Sequence, residues 1–339
     1  MRIALDAQLA IGTATGIGEY ARGLARALRV AGVDIRELVD ERLDPWRFDR
    51  RVLWDQFVLP RALARSGADL LHAASGTMPL RARVPIVTTV HDLAWLRVQG
   101  HVRAYARWYF GPFMRERYRA AAAIVVDSHF TRDEYLTLVG GDPARVHVVY
   151  PGVDPAFAAL ERRPAEVPFA LALGTVEARK NLLRAIETVA AIDGLRLISV
   201  GPSTPYLDVC RARANELGIA DRVEFRGYVE RDELLRLHAR ATVALVPSRY
   251  EGFGYAAAQA LCAGIPLVAA ATSSLIEVTG PSGVLCDPDD TPAWIAATHA
   301  ALQRSPNRND AARRAASAER FSWATAAAAC SAIYRGVLG

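Results

Sequence analysis

Cysteine, methionine and lysine are scarce in this chain of 339 residues, which has four cysteines, three methionines and a single lysine. The cysteines form no C-x-x-C pair, and no histidine–cysteine cluster has the spacing of a zinc site. We interpret them as buried thiols in a reducing cytoplasm. No apolar run reaches bilayer-spanning length, and the start Met1-Arg-Ile-Ala-Leu5 is typical of a strand rather than a signal peptide. We therefore expect a cytoplasmic protein without a metal ion or cofactor.

Basic charge is carried almost entirely by arginine, because 40 of the 41 basic residues are arginines and the other is Lys180. The formal net charge is +5. Residues 1–163 hold 23 arginines against 18 acidic residues, whereas the rest of the chain is balanced at 18 against 18. A lone lysine in such a chain is a candidate for a place that requires a compact ammonium group.

The length and a hydrophobic content of 52% favour a well-packed α/β protein of two domains. Strands are predicted at residues 1–8, 69–73, 85–90, 123–127, 146–150, 169–173, 195–200, 223–225, 241–246, 266–270 and 283–286. Helical patterns separate them, which is typical of doubly wound, mostly parallel sheets. We expect one domain over residues 1–163, a second over 164–320, and a final helix near 321–339 that packs back on the first. Ligands of two such sheets bind in a cleft between the carboxyl edges of the strands.

The stretch 247–266 has the strongest functional pattern of the second domain. It follows the predicted strand 241–246 and passes through Gly252 and Gly254 into an alanine-rich helix over 255–263. Backbone amides and the positive end of a helix dipole then face one spot, which favours a phosphate or diphosphate.

Glu251 stands directly before those glycines, where a bound anion would repel its carboxylate. A neutral hydroxyl-bearing group beside the phosphate, such as a sugar, is a better target. Gln259 lies eight residues further on, about two helical turns, so it can share the same edge of the cleft.

A second cluster, Gly174-Thr-Val-Glu-Ala-Arg-Lys-Asn181, follows the strand at 169–173 and opens a helix. Arg179 and Lys180 oppose the dipole there, which is costly unless an anion is bound. This favours a phosphate site, and the alternative is a pair of solvated cations on a loop.

Two positions of the first domain are further candidates. His91 ends the strand at 85–90, where it can donate to a bound hydroxyl or carry a proton, unless it is merely packed under a loop. Gly16 and Gly18 precede a helix over about 19–30 and can bring backbone close to a ligand, although a glycine-rich turn without a ligand is as good an explanation.

The stretch from Trp95 to Arg119 is rich in arginine and aromatic residues. It could lie on an anionic bilayer or hold a polyprenyl-phosphate acceptor, and the alternative is an amphipathic helix with a solvated basic face. No motif for reading a nucleic-acid groove accompanies it, so we expect no nucleic-acid partner. The candidates for an acceptor or membrane surface are Arg103, Arg107, Trp108 and Arg115.

Taken in order, these motifs resemble the retaining GT-B glycosyltransferases of family 4. The segment Glu251–Gln259 (E-G-F-G-Y-A-A-A-Q) resembles the E-x7-E element of that family, and Gly174–Asn181 resembles its G-T-L-E-P-R-K-N variant. Further counterparts occur in the family's order at Gly16–Tyr20, His91–Leu93, Ser128–Thr131, Tyr150–Asp154, Gly227–Val229 and Pro247–Ser248. The resemblance covers nearly the whole chain.

The resemblance implies a GT-B architecture in which the first domain binds the acceptor and the second binds a nucleotide sugar. It implies catalytic roles for His91 and Glu251, and a metal-independent site in which Lys180 and Arg179 neutralise the diphosphate. The donor-binding residues implied are Gly16, Gly174, Thr175, Arg179, Lys180, Tyr228, Val229, Glu251, Gly252, Phe253, Gly254, Tyr255 and Gln259.

Two departures from the family pattern concern the donor. Gln259 replaces the second glutamate, which leaves one acceptor oxygen and two donor hydrogens for the ribose hydroxyls. Thr175 stands where the family often has arginine, so that Arg179 is the plausible substitute. The R-K-N loop resembles mannosyl- and rhamnosyltransferases, which favours GDP-mannose as donor.

Three functions remain open at this point. The first is a cytoplasmic glycosyltransferase acting on a polysaccharide, or on a lipid-linked glycan precursor at the inner face of a membrane. The second is a sugar-nucleotide epimerase of the same architecture, and the third is a non-catalytic subunit that binds nucleotide sugars.

Overall fold

Two parallel sheets organise the computed structural model, which describes residues 1–12, 16–97, 107–304 and 309–339. The chain divides into two compact units. Unit 1 comprises Met1–Gly152 together with Phe321–Gly339, and unit 2 comprises Val153–Arg320.

Unit 1 contains a six-stranded sheet in the order β2-β1-β3-β4-β5-β6. Its strands are β1 (Arg2–Asp6), β2 (Asp34–Leu38), β3 (Leu70–Ala73), β4 (Ile86–Val90), β5 (Ala123–Val126) and β6 (Val146–Val148). Its helices are α1 (Gly16–Val30), α2 (Phe48–Leu53), α3 (Leu59–Ser66), α4 (Ala94–Arg97), α5 (Met114–Arg119) and α6 (His129–Leu138). The continuous apolar runs of β3, β4 and β5 are buried, as expected for strands covered on both faces.

Unit 2 contains a second six-stranded parallel sheet in the order β12-β11-β10-β7-β8-β9. Its strands are β7 (Phe169–Leu173), β8 (Arg196–Val200), β9 (Val223–Phe225), β10 (Val243–Val246), β11 (Leu267–Ala270) and β12 (Val284–Cys286). Its helices are α7 (Pro155–Ala159), α8 (Leu182–Ala190), α9 (Tyr206–Glu216), α10 (Arg231–Arg240), α11 (Tyr255–Ala263), α12 (Leu275–Thr279), α13 (Thr291–Gln303) and α14 (Asn309–Arg320). The predicted α/β class with two doubly wound sheets is confirmed.

The last helix, α15 (Trp323–Leu338), belongs to unit 1. It packs on α1, and its residues Ala326, Cys330 and Tyr334 are buried in the same apolar cluster as Leu24. Tyr334 also bonds to the buried His72 of β3, with Oη 2.5 Å from Nδ1.

The units meet along the chain at Gly152–Val153, whereas the sequence suggested residues 163–164. The reason is α7, which packs against α11 and α14 of unit 2. Arg314 of α14 reinforces this by donating to the carbonyl oxygens of Ala158 and Leu160.

Strand order places one special crevice in each sheet. In unit 1, β1 lies between β2 and β3, and in unit 2, β7 lies between β8 and β10. The connections diverge to opposite sides of the sheet at these points, which opens a crevice at the carboxyl ends of the two central strands. The loops after β7 and β10 are therefore where a ligand of unit 2 is expected.

Candidate functional site

The loop after β7 folds back so that the side chain of Lys180 lies against Gly174, the first residue of the loop. Gly174 has φ +131°, which favours glycine, and a Cβ there would lie 3.2 Å from Lys180 Cε. The loop ends in a 3₁₀ turn over Ala178–Lys180, and Asn181, with φ 51°, caps the amino end of α8. The aliphatic part of the Lys180 side chain therefore packs against Gly174.

The loop after β10 brings Glu251 to the same place. Gly254 caps α11 with φ +93°, and a Cβ there would lie 2.7 Å from Leu275 Cδ2, so another residue would fit poorly. The Glu251 backbone is fixed from two sides, because its amide donates to Ser273 Oγ at 3.0 Å and its carbonyl accepts from Ser274 Oγ at 2.9 Å.

Glu251, Lys180 and Arg179 form one ionic cluster. Lys180 Nζ lies 2.6 Å from Glu251 Oε1, and Arg179 Nη1 lies 3.5 Å from Glu251 Oε2. Arg179 also donates to Glu177 Oε1 and to the Tyr250 carbonyl, both at 2.8 Å. A crevice lined by Gly174, Thr175, Lys180, Pro247 and Ser248 adjoins the cluster.

The Glu251 carboxylate is ionised although it is 7% exposed. Burial alone would raise its pKa, but attraction by Lys180 and Arg179, with hydrogen bonds from Lys180 and Ser248, lowers the pKa below the ordinary value. The site therefore holds a buried anion between two cations, at the carboxyl ends of β7 and β10.

The remaining candidates of unit 2 differ in exposure. Phe253 is buried with its ring centroid 5.3 Å from that of Tyr255, and Gly252 is buried beside it. Tyr228 is 43% exposed on the loop after β9, next to the half-buried Val229. Gln259 is half-buried on α11. The structure brings Gly174, Thr175, Lys180, Arg179 and Glu251 together by direct contact or around one crevice.

In unit 1, His91 lies at the carboxyl end of β4 between two acceptors. Its Nδ1 is 2.6 Å from Asp127 Oδ2, and its Nε2 is 2.9 Å from the Ala74 carbonyl oxygen. Burial alone would lower its pKa, but the Asp127 carboxylate and the two hydrogen bonds raise the pKa above 6.5. Two acceptors satisfy a doubly protonated ring, so the geometry favours the imidazolium.

Tyr20 of α1 completes the surroundings of this histidine. Its ring meets the imidazole edge to face with centroids 4.8 Å apart, and its hydroxyl lies 3.0 Å from Thr89 Oγ1. An edge-to-face arrangement of two rings at this distance is a favourable contact.

Close packing within unit 1 explains the glycine at position 18. A Cβ at Gly18 would lie 2.6 Å from the Leu9 carbonyl oxygen, so α1 and the segment after β1 approach too closely for a side chain. Gly16 begins α1 and is exposed.

Of the proposed surface residues, Arg107, Trp108 and Arg115 are exposed, and Trp108 is 58% exposed with its ring 5.3 Å from Phe113. Arg103 lies outside the described residues.

Sequence reasoning missed a buried polar network at the crevice of unit 1. Arg51 of α2 lies 3.1 Å from Asp6 Oδ2 at the end of β1 and 3.0 Å from Asp55 Oδ1, and it also bonds to Thr77 after β3. Burial raises the pKa of Asp55 to about 6. Only Asp6 carried a signal in the sequence, as an acidic residue at the end of an apolar strand.

A cavity of about 630 Å³ lies elsewhere in unit 2, over the amino-terminal half of β7 and β8. Its lining includes Phe169, Arg196, Ile198, Arg226 and Arg240. Ligands of doubly wound sheets bind at the opposite, carboxyl ends of the strands, so we assign the site to the ionic cluster. Within the described part of the chain, no three His, Cys, Asp or Glu side chains are grouped to hold a metal, and no helix is long and apolar enough to cross a membrane.

Comparison with known proteins agrees with this architecture. D-inositol 3-phosphate glycosyltransferase from Mycobacterium marinum is 32% identical over 302 residues, which cover 80% of this chain and 64% of that protein. Glycogen synthase from Mycobacterium tuberculosis is 31% identical over 271 residues, which cover 74% of this chain and 63% of that protein. The matches thus span just under two thirds of the length of these curated relatives.

Solved structures resemble the chain over its whole length. Sucrose-phosphate synthase from Thermosynechococcus elongatus has a TM-score of 0.77 at 22% identity over 99% of both chains. Anabaena HepE in complex with UDP-glucose has a TM-score of 0.75 at 17% identity over 99% of both chains. These likenesses show the GT-B fold.

Two family models divide the sequence between them. Residues 14–157 match the model described as Glycosyltransferase Family 4, and residues 156–318 match the model described as Glycosyl transferases group 1. Together with the fold and the curated relatives, these contiguous matches show that the chain belongs to the family 4, or group 1, glycosyltransferases.

Proposed function

We propose that the chain is a retaining, metal-independent hexosyltransferase that moves a sugar from a nucleotide donor to a hydroxyl of a polysaccharide or lipid-linked glycan precursor. The observation that carries this proposal is the Lys180–Glu251–Arg179 cluster at the carboxyl ends of β7 and β10. Two cations and a carboxylate at one crevice suit a ligand that joins a diphosphate to a hydroxylated ring.

In this proposal, unit 2 binds the donor. Lys180 and Arg179 neutralise the diphosphate, and the Gly254 turn presents the amino end of α11 to it. Glu251 accepts hydrogen bonds from the sugar hydroxyls. Gln259 meets the ribose, and the exposed Tyr228 with Val229 meets the base.

Unit 1 supplies His91 and binds the acceptor. An imidazolium donates hydrogen bonds and accepts none, so we assign His91 to stabilising negative charge rather than to acting as a base. To reach a substrate oxygen, Nε2 exchanges the Ala74 carbonyl for that oxygen, while Asp127 keeps the charge on the ring. Gly16 approaches the phosphate from the same unit.

The reaction that fits these groups exchanges one bond at the anomeric carbon for another. The bond from C1 to the β-phosphate oxygen breaks, and the acceptor oxygen bonds to C1 on the same face. The leaving phosphate takes the acceptor proton. Lys180 and Arg179 stabilise the charge that develops on that phosphate.

The donor is proposed to be GDP-mannose, on the resemblance of the R-K-N loop to mannosyl- and rhamnosyltransferases. A thermal-shift panel of GDP, UDP, dTDP and ADP tests this, because a ligand that binds the folded state raises its stability. GDP should stabilise most, and a larger shift with another nucleotide would reassign the donor. If none shifts the unfolding temperature, the donor site itself is wrong.

The type of reaction needs a separate measurement. Transfer of labelled sugar to a glycan acceptor with retention of anomeric configuration supports the proposal. Inversion at C2 of the free sugar nucleotide would indicate an epimerase, and tight binding without turnover would indicate a binding subunit.

We further propose that the exposed Arg107, Trp108 and Arg115 face the acceptor or the anionic surface of a membrane. Exposed arginines near an aromatic ring suit lipid headgroups and lipid-linked phosphates. The localisation proposed with this surface is cytoplasmic and peripheral on the inner face of the membrane.

A further inference from the structure

Glu251 is the ion-pair partner of Lys180. The ammonium group lies 2.6 Å from Glu251 Oε1, and within the described residues it has no other ion-pair partner. The carboxylate in turn is nine-tenths buried, so its partners are protein groups rather than solvent. The group proposed to bind a diphosphate is therefore already neutralised.

The second cation is neutralised in the same way. Arg179 faces Glu251 and Glu177, so the two cations and two carboxylates of this cluster sum to zero charge. An arriving diphosphate meets little net positive charge while Glu251 stays in place. A carboxylate and a phosphate on one ammonium also repel each other, because both are acceptors and both are negative.

The contact between Glu251 and Lys180 involves only side-chain atoms. The Glu251 backbone amide and carbonyl are held by Ser273 and Ser274, and these bonds do not involve the carboxylate. Rotation about the side-chain bonds of Glu251 would break its contact with Lys180 and leave both backbone bonds in place. The displaced carboxylate then needs new donors, since an unpaired buried charge is costly.

We propose that Glu251 is an internal counter-ion of Lys180, and that it makes the site prefer a sugar nucleotide to the nucleoside diphosphate left after transfer. The intact donor carries sugar hydroxyls that can pair with the displaced carboxylate. The diphosphate product carries none, so it must hold Lys180 against an unpaired Glu251. This inference rests on the proposed function, and it adds a means of releasing the product.

The test compares affinities for GDP and GDP-mannose by calorimetry, or for whichever pair of nucleotides the panel selects. Glu251→Gln removes the negative charge at nearly constant shape. Its affinity for the nucleoside diphosphate should rise about fivefold to tenfold, while the preference for the sugar nucleotide falls. Glu251→Asp keeps the charge and should not tighten binding of the diphosphate.

Two controls isolate the counter-ion effect. Glu224→Gln removes another ion-paired carboxylate of unit 2, 2.7 Å from Arg226, and should leave both affinities unchanged. In a Lys180→Ala background, Glu251→Gln should tighten binding much less, because only the longer contact of Glu251 with Arg179 remains. Circular dichroism and melting temperature verify that each variant is folded.

The outcomes separate this inference from the proposed function. If the wild type binds neither nucleotide, the proposed donor site fails and the inference with it. If the wild type binds both, but folded Glu251→Gln binds the diphosphate equally or more weakly, only the counter-ion role is overturned. Tightening that is equally large without Lys180 would overturn it as well.

Discussion

Lys180 reaches Glu251 between loops that follow two different strands, with the arm of the lysine laid over Gly174. Such a contact fixes both loops relative to each other and places the ammonium at the mouth of the crevice. The charge, the length and the slim shape of the side chain all contribute. An arginine would carry the same charge on a planar group that cannot turn its donors in the same way.

For Lys180→Ala we expect nucleoside diphosphate affinity to fall by about 1.5–3 kcal/mol, the size of a lost charge-assisted hydrogen bond. Lys180→Arg should recover part of this loss. Calorimetry provides the measurement. Unchanged affinity in Lys180→Ala would remove the lysine from the site.

His91 gives a prediction about pH. Its raised pKa means that the His91–Asp127 pair stabilises the fold below about pH 6.5, and that this stabilisation is lost as the pH rises through the folded-state pKa. Titration of the ring followed by NMR should give a pKa above 6.5, and Asp127→Asn should lower it. A wild-type pKa at or below 6.5 would contradict the imidazolium assignment.

Single residues differed in how far the sequence revealed them. Lys180 was identified by its rarity and by its position at a helix start, and Glu251 by the glycines after it. Asp127 and Ser273 gave no such signal, because their partners depend on which strands are neighbours. The order β3-β4-β5 puts Asp127 beside His91, and no local pattern encodes that order.

At the scale of elements, α1 and α15 meet through a glycine and a tryptophan. A Cβ at Gly23 or at Gly152 would overlap the Trp323 side chain, so the indole packs directly against the backbone at both glycines. Gly152 belongs to the motif Tyr150–Asp154, which the sequence resemblance identified without a physical reason.

Gly23→Ala tests this packing, because it has two effects of opposite sign on the free energy of unfolding. The higher helix propensity of alanine should stabilise the fold by about 1 kcal/mol, while overpacking against the indole should destabilise it by about 1–3 kcal/mol or more. We expect a net fall in the free energy of unfolding, measured with urea. Gly336→Ala in α15, where a Cβ meets nothing within 4 Å, is the matched control and should not destabilise. Equal changes in the free energy of unfolding for Gly23→Ala and Gly336→Ala would contradict this packing role of Gly23.

The segment after α4 allows a test of the proposed surface. Wild-type protein should sediment with vesicles containing phosphatidylglycerol and not with pure phosphatidylcholine, and Trp108→Ala should weaken this binding several-fold. Val30→Ala, which shortens an apolar side chain that is 86% exposed on α1, should have no effect. Equal binding to both kinds of vesicle would argue against an anionic surface as the partner.

Among the elements, the buried strands were the easiest to predict and the edge strand β2 was missed. Its sequence, D-I-R-E-L, has three charged residues, and only Ile35 and Leu38 of its five residues are buried. Pairing with β1 makes it a strand, and that pairing is a long-range effect. In contrast, β4 and β5 are wholly apolar or β-branched, and their sequences alone indicated buried strands.

At the scale of the whole molecule, unit 1 is discontinuous in sequence and unit 2 is not. The core of unit 1 includes Cys330 and Tyr334 from the far end of the chain, whereas unit 2 is the single continuous stretch Val153–Arg320. A final helix packing on the first domain could be expected from the sequence, but the residues that receive it could not.

This asymmetry predicts the behaviour of fragments. A fragment of residues 153–320 should fold cooperatively by itself, whereas residues 1–152 should not, because removing 321–339 exposes one side of their core. Thermal unfolding followed by circular dichroism measures this. Joining 321–339 to residue 152 through a flexible linker should restore a transition, and a cooperative transition without those residues would contradict the prediction.

The scarcity of lysine also has a practical consequence. Apart from the N-terminal amine, Lys180 carries the only primary amine in the sequence. Reductive methylation with isotope-labelled formaldehyde would therefore place one reporter signal inside the crevice and one at the N-terminus. An activated ester would acylate the same two positions, and a ligand that covers the ammonium would shield one of them, so occupancy could be read by mass spectrometry without any engineered tag.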